Sequence, residues 1–144
     1  MRIKAFLEDS PLFNLALAYD EIIGDFQKRL RAEGVHFLQA LVLTGIYFEK
    51  KPVRPRELAK IFSVKKSNLS HALRGLERQG LIERQTLESD ARAYLFSLTK
   101  EARRTVPRLV KLFDSTEKQI EAAFAGRRVS PGLKHFRRIY RRVS

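Results

Sequence analysis

The chain has no cysteine. Disulfide bonds, thiolate metal sites and thiol-based redox sensing are therefore excluded. Long hydrophobic runs are missing too. The most apolar stretch, "FLQALVLTGIYF" at Phe37 to Phe48, contains Gln39 and Thr44 and falls well short of the ~20 residues a membrane-spanning helix needs. The N-terminal "MRIKAFLEDSP" is too quickly interrupted by acids to be a secretory signal, so a soluble, cytoplasmic protein with no membrane partner is expected. Histidine is scarce. His36, His71 and His135 fall in different predicted elements at no ligand spacing, and no metal site or cofactor is expected. There is no nucleophile paired with a base, no carboxylate pair in a cleft motif and no phosphate-cradling glycine loop, which argues against an enzyme. Acid is the last shortage. Against 29 Lys and Arg stand 16 Asp and Glu, a formal charge of +13, which favours a polyanionic partner, nucleic acid ahead of an acidic membrane face. The alternative is that basic surfaces also serve solubility.

At 144 residues a single domain of 1–144 is expected, large enough to bury a core without staples. No internal repeat or low-complexity segment appears. Ser10 followed by Pro11 reads as an N-cap with proline at the first helical position. Leu12, Ala16, Tyr19, Ile23, Phe26 and Leu30 then recur at helical spacing up to Gly34. Phe13, Leu15 and Leu17 lie outside that stripe. A helix with two apolar faces needs a partner beyond its own fold.

Residues 36–48 read as a second helix. "RPRELAKIF" gives a short third one, with Pro55 at N1, Glu57 at N3 and Leu58, Ala59 and Phe62 inward. A fourth runs from Lys66 to Gln79 with Leu69, Leu73 and Leu76 inward and Gly80 as its stop. Two short helices across a tight turn form a helix-turn-helix pattern. Then the period changes to two. "LIERQ" and "AYLFSL" alternate as strands, Tyr94, Phe96 and Leu98 share one side, and the polar "TLESDAR" between them is expected to be a hairpin tip. Thr99 caps a long fifth helix carrying Ala102, Val106, Leu109, Phe113, Thr116, Ile120 and Phe124. A last helix carries Leu133, Phe136, Tyr140 and Val143 among Lys134, Arg137, Arg138, Arg141 and Arg142. The fold class expected is mainly α with a small β-hairpin wing: a winged helix-turn-helix at 36–104, flanked by dimerisation helices at 3–34 and 105–144.

Off the Leu69, Leu73, Leu76 stripe, the fourth helix turns Lys66, Ser67, Asn68, Ser70, His71 and Arg74 outward, with Lys65 at its start. A helix fits the major groove, and its first turns offer amides and short polar side chains to base edges and phosphate. Lys66, Ser67, Ser70 and His71 are assigned to base edges, Lys65, Asn68 and Arg74 to phosphate. Arg54 and Arg56, opening the preceding helix, are placed to touch phosphate at the groove's edge. For each residue the bland alternative is a solvated helix face or plain surface charge. Gly75, inside this helix, costs about 1 kcal/mol relative to alanine and is read as a point of close packing.

The stretch "ELAKIFSVKKSNLSHALRGLERQGLIERQTLESDARAYLFSLTKEARR", Glu57 to Arg104, resembles the MarR type (multiple antibiotic resistance regulator) of transcription factor over about a third of the chain. "ELA", "L-E-x-x-G-L-I-E-R" and "D-A-R-A" followed by "LT" carry the resemblance. It implies a homodimer on duplex DNA, with a palindromic operator as the expected site, acting as a transcriptional regulator and most simply as a repressor. It also implies that Arg92 enters the minor groove from the wing tip, as a guanidinium is drawn to a narrow A·T-rich groove. Asp90 matches the family's acidic wing residue, which either aims that arginine or shapes the turn; Arg84 flanks the same hairpin. Members of the family often release DNA when a small aromatic or anionic effector binds. Tyr19, Phe37, Leu41 and Tyr47 are the kind of residue that lines such a cavity, though each also reads as core. The chain departs from the pattern at Ser63, where glycine is frequent, at Lys65, where a Ser or Thr cap is common, and at Ala102, again in place of glycine. An architectural winged-helix protein with little sequence preference is the alternative function, and the basic tail is its main support.

Overall fold

In the computed structural model the described residues are 2–87, 90–125 and 129–143, with the backbone alone described at 2, 5, 6, 87, 90–93 and 141–143. They form α1 (Arg2–Glu8), α2 (Pro11–Ala32), α3 (Phe37–Glu49), α4 (Pro55–Phe62), α5 (Lys66–Arg78), β1 (Ile82–Leu87), β2 (Asp90–Leu98), α6 (Lys100–Ala123) and α7 (Val129–Val143). Packing groups the chain into two compact units, 1–110 and 111–144, the boundary falling inside α6.

The boundaries of the first unit follow from end chemistry. Ser10 Oγ accepts the Phe13 N–H at 3.3 Å, which starts α2 where a hydroxyl and a proline coincide. α2, α4 and α5 all stop in the same way: Val35 N–H donates to Leu30 O, Val64 to Ala59 O and Leu81 to Leu76 O. This closure needs a left-handed residue one position earlier. Gly34 (φ 76°) and Gly80 (φ 68°) supply it without a Cβ clash, whereas at α4 it is Ser63 that adopts φ 54°. Thr99 Oγ1 accepts the Ala102 N–H at 3.2 Å and donates to Gly80 O at 2.8 Å, so one hydroxyl both opens α6 and ties it to the end of α5.

The core joins α3, α5, the strands and the start of α6. Leu30, Ala40, Val42, Leu43, Leu58, Leu69, Leu76, Val106 and Ala102 are all essentially removed from solvent. At roughly 1.5–3 kcal/mol per buried large aliphatic side chain, this cluster holds the helix-turn-helix in one geometry. Arg108 and Glu33 add a 3.2 Å ion pair between α6 and the end of α2.

The segment 2–8 forms a helix of its own, which its few apolar residues are too sparse to announce by a period. One expectation needs correction. Within "TLESDAR", residues 86–87 and 90–92 are strand and not a loose tip, Thr86 pairing with Tyr94 and Leu87 with Asp90 across a register irregularity, while residues 88 and 89 lie outside the described residues. A β-branched threonine opposite an aromatic ring stabilises pairing further out than polarity suggests. A third segment joins this sheet. Val53 and Phe96 exchange both backbone hydrogen bonds at 2.9 Å, fastening β2 to the chain leading into α4.

The first half of α2 is bare. Leu12 is 79% exposed and Tyr19 66%, while Phe26 and Leu30, farther along the same stripe, are buried. In the second unit, Leu133, Phe136 and Tyr140 on α7 are likewise more than half exposed, with Phe136 and Tyr140 stacked on each other. Among the described residues no helix is long and apolar enough to cross a membrane.

Candidate nucleic-acid interface

The face of α5 opposite its core stripe collects the predicted residues. Leu69, Ala72, Leu73 and Leu76 are buried; Lys65, Lys66, Ser67, Asn68, Ser70, His71 and Arg74 are all exposed. The N-cap Lys65 makes no side-chain cap hydrogen bond, so nothing from its own side chain occupies the first amides of α5. Those donors, the positive end of the helix and two lysines together form a site suited to an anion. Farther along, His71, Arg74, Glu77 and Arg78 line a shallow open depression, in which Glu77 is the only acid among the described residues.

Arg54 and Arg56 stand exposed at the opening of α4, which packs on α5. The Arg54 N–H donates to Glu57 Oε2 at 3.4 Å, so the first turn of α4 is held by its own carboxylate, and neither arginine is in an ion pair among the described residues. On the wing, the Arg84 guanidinium lies 3.8 Å from the centre of the Tyr94 ring, and Tyr94 meets Phe96 edge to face at 5.6 Å. Buried Phe96 thus fixes Tyr94, and Tyr94 carries a cation on its outer face. The sequence pattern placed Tyr94 only on one side of its strand with Phe96 and Leu98. The other side of the sheet is held by Ser97, which donates to Glu83 Oε1 at 3.1 Å and accepts from Gln85 Nε2 at 3.2 Å. The side chains of Asp90 and Arg92 lie outside the described residues; their backbone is in β2.

Behind the exposed face lies a contact that sequence reasoning located only in part. Gly75 is a point of close packing: a Cβ there would fall 2.6 Å from Gln39 Nε2. Gln39 is buried on α3, and its Oε1 accepts the His36 N–H at 3.1 Å while His36 Nδ1 accepts the Gln39 N–H at 3.4 Å. This reciprocal capping box pins the glutamine against α5. His36 must be neutral to accept through Nδ1. Burial, and secondarily the charge of His71, holds its pKa below the ordinary 6.5.

The sign of the resulting pH effect is fixed. A folded chain that binds the proton less tightly than the unfolded chain has the full contribution of neutral His36 above pH 6.5 and loses it as pH falls towards the lowered value. Urea unfolding at pH 7.5 and 5.5 is expected to show a larger acid loss of stability for the wild type than for His36→Asn, which keeps a cap acceptor and does not titrate. Equal losses would remove His36 from the account.

The residues named for an effector do not share one environment. Phe37 packs edge to face on Phe26 at 5.9 Å and Tyr47 on Phe48 at 5.6 Å, Leu41 is half-buried, and Tyr19 stands on the bare half of α2. Among the described residues no group of three or more His, Asp or Glu could hold a metal ion.

Two antiparallel strands following a helix-turn-helix, all on one core, define a winged helix-turn-helix. Residues 33–93 match the model of the MarR family. The fold as a whole agrees. The chain is similar to S. aureus MepR in a crystal structure of its DNA complex, with TM-score 0.80 and 17% identity over 95% of this chain and 99% of that one. It is similar to the transcriptional regulator BldR from Sulfolobus solfataricus, with TM-score 0.71 and 20% identity over 99% of each chain. It is also similar to CouR from Rhodococcus jostii RHA1 bound to p-coumaroyl-CoA, with TM-score 0.71 and 20% identity over 95% and 93%. No curated protein matches the chain by sequence. The match thus spans residues 33–93, and the chain as a whole has the winged-helix fold of these structures.

Proposed function

We propose that the chain is a dimeric, sequence-specific regulator that reads duplex DNA with the outward face of α5 and steadies the duplex with its wing, acting most simply as a repressor. The observation that carries the reading is the uninterrupted exposed surface from Lys65 to Arg74, seated on a buried leucine stripe. Lys66, Ser67, Ser70 and His71 reach base edges; Lys65, Asn68, Arg74, Arg54 and Arg56 hold phosphates. Arg84 enters from the wing, and Arg92, directed by Asp90, takes the minor groove. The DNA complex of MepR supports this use of the fold.

One such unit covers little DNA, so readers of this kind pair on half-sites about one duplex turn apart. The bare apolar residues of α2 and of α7 support a dimer formed through 3–34 and 105–144. Control by a small aromatic or anionic effector goes with this reading, the CouR complex with an aromatic acyl-CoA being the supporting case. A second reading, an architectural protein with little sequence preference, is favoured only by the basic tail.

Selection of duplexes from a random pool by the purified protein separates the two. A two-fold symmetric consensus is expected. Recovery of an unenriched pool, at a salt concentration where the protein still binds, would overturn sequence-specific reading in favour of the architectural role.

A further inference from the structure

After Glu121 the chain contains no acidic residue, yet seven Lys and Arg follow between Arg127 and Arg142. Helix α7 sorts this segment by side. Leu133, Phe136 and Tyr140 recur at helical spacing on one arc; Lys134, Arg137 and Arg138 occupy the opposite one, and Arg141 and Arg142 continue it in sequence. Lys134, Arg137 and Arg138 are exposed, and among the described residues none of them is in an ion pair with a carboxylate. Glu117 and Glu121 line a groove with Lys134 and Arg137 without pairing with either. Among the described residues, a hydrogen bond on this face joins Arg138 Nη2 and His135 Nδ1 at 3.1 Å.

Such an arrangement works against the helix that bears it. Like charges stand three and four apart at Lys134, Arg137 and Arg138, and such pairs repel. The helix dipole favours cations only within the last turn, so it does not account for Lys134, Arg137 or Arg138. Solubility would be served by mixed charge. A polyanion, by contrast, relieves all of these repulsions at once and releases its own counterions.

We propose that the basic face of α7 is a second DNA-contacting surface, binding backbone phosphate irrespective of sequence and separate from the helix-turn-helix. The inference rests on the DNA-binding reading above. Duplex DNA is favoured over an anionic lipid surface because lipid binding would draw on the apolar arc as well. That arc, exposed at Leu133, Phe136 and Tyr140, is the one the dimer proposed above covers, and Leu133 and Val129 border a groove with Ile120 of α6. With that arc taken up by the partner, the basic arc alone is left to solvent, which suits phosphate and does not suit insertion.

The test uses the full chain carrying Lys134→Gln, Arg137→Gln and Arg138→Gln together, with oligomeric mass and thermal midpoint checked against wild type. Binding is measured across a salt series on the selected consensus duplex and on a scrambled duplex of equal length. The expected result is a loss of about tenfold or more at ~0.1 M salt on both duplexes, with the salt slope shallower by about 0.9 for each lost contact. An unchanged slope overturns the proposal, and so does a loss confined to the consensus duplex. If the slope is unchanged while phosphatidylglycerol vesicles capture the wild type and not the variant, the surface is a lipid contact instead. If the wild type binds neither duplex, the DNA reading itself has failed.

Discussion

Gly75→Leu is expected to destabilise the fold by about 3 kcal/mol, whereas Gly75→Ala is expected to be nearly neutral and to become stabilising once Gln39 is shortened. The reasoning starts from the absent Cβ. Built at Gly75, it would meet Gln39 Nε2 at 2.6 Å, a distance at which something must move. The end of a glutamine usually moves easily. This one is buried and tethered, because its Oε1 holds the His36 N–H at the start of α3. For alanine, about 1 kcal/mol of helix propensity gained on α5 is set against about 1 kcal/mol from the disturbed cap. A leucine gains no more propensity, adds overpacking of about 1–3 kcal/mol, and leaves a buried amide short of partners at about 1–3 kcal/mol. In a Gln39→Ala background the space is open, and Gly75→Ala then shows its full propensity gain of about 1 kcal/mol. Denaturant unfolding of the four-member cycle Gly75→Ala by Gln39→Ala measures the coupling. Strict additivity would show that the glutamine is free to step aside.

This contact also marks how far the sequence could be read. Gly75 announced close packing because a glycine inside an amphipathic helix has a cost to explain, but its partner lies on another helix and no periodicity connects Gln39 to it. Helix ends were legible where they use local chemistry: Ser10 with Pro11, Pro55 with Glu57, Gly34, Gly80 and Thr99 each act within a few residues. Ser63 shows the same rule from the other side, since the frequent glycine of the family falls where φ is 54°. The exposed face of α5 was legible because burial of Leu69, Leu73 and Leu76 dictates what must face out. Features that depend on strand register were not. Arg84 lies over Tyr94 only because Thr86 is placed opposite that tyrosine, and the bridge from Val53 to Phe96 needs the third dimension. His36 stood out in the sequence only as one of three histidines at no ligand spacing, because a cap by Nδ1 falls outside the usual Ser, Thr, Asp and Asn.

Replacing Lys66 and Arg74 together by alanine is expected to cost on the order of a thousandfold in affinity for the selected duplex near 0.1 M salt, with little change in stability. Both side chains are exposed, neither is in an ion pair among the described residues, and both lie off the buried stripe of α5. Surface substitutions of this kind usually stay within about 0.5 kcal/mol of neutral. Only Arg74 of the two is assigned to phosphate, so the proposed dimer loses two phosphate contacts, and about 0.9 in salt slope for each gives a slope shallower by roughly 2. Because Lys66 is assigned to a base edge and Arg74 to phosphate, the single variants should divide. Arg74→Ala weakens consensus and scrambled duplexes alike and flattens the slope, whereas Lys66→Ala narrows the gap between the two duplexes. Tyr94→Leu provides a third comparison, since it leaves the charge of Arg84 in place but removes the ring beneath it. It should weaken binding by only a few-fold, in line with about 0.5–1 kcal/mol for an exposed cation–π contact, and with the slope retained. If Lys66→Ala and Arg74→Ala leave both affinity and slope at wild-type values, α5 is not the helix that meets DNA, and the exposed polar face between Lys65 and Arg74 is solvated surface.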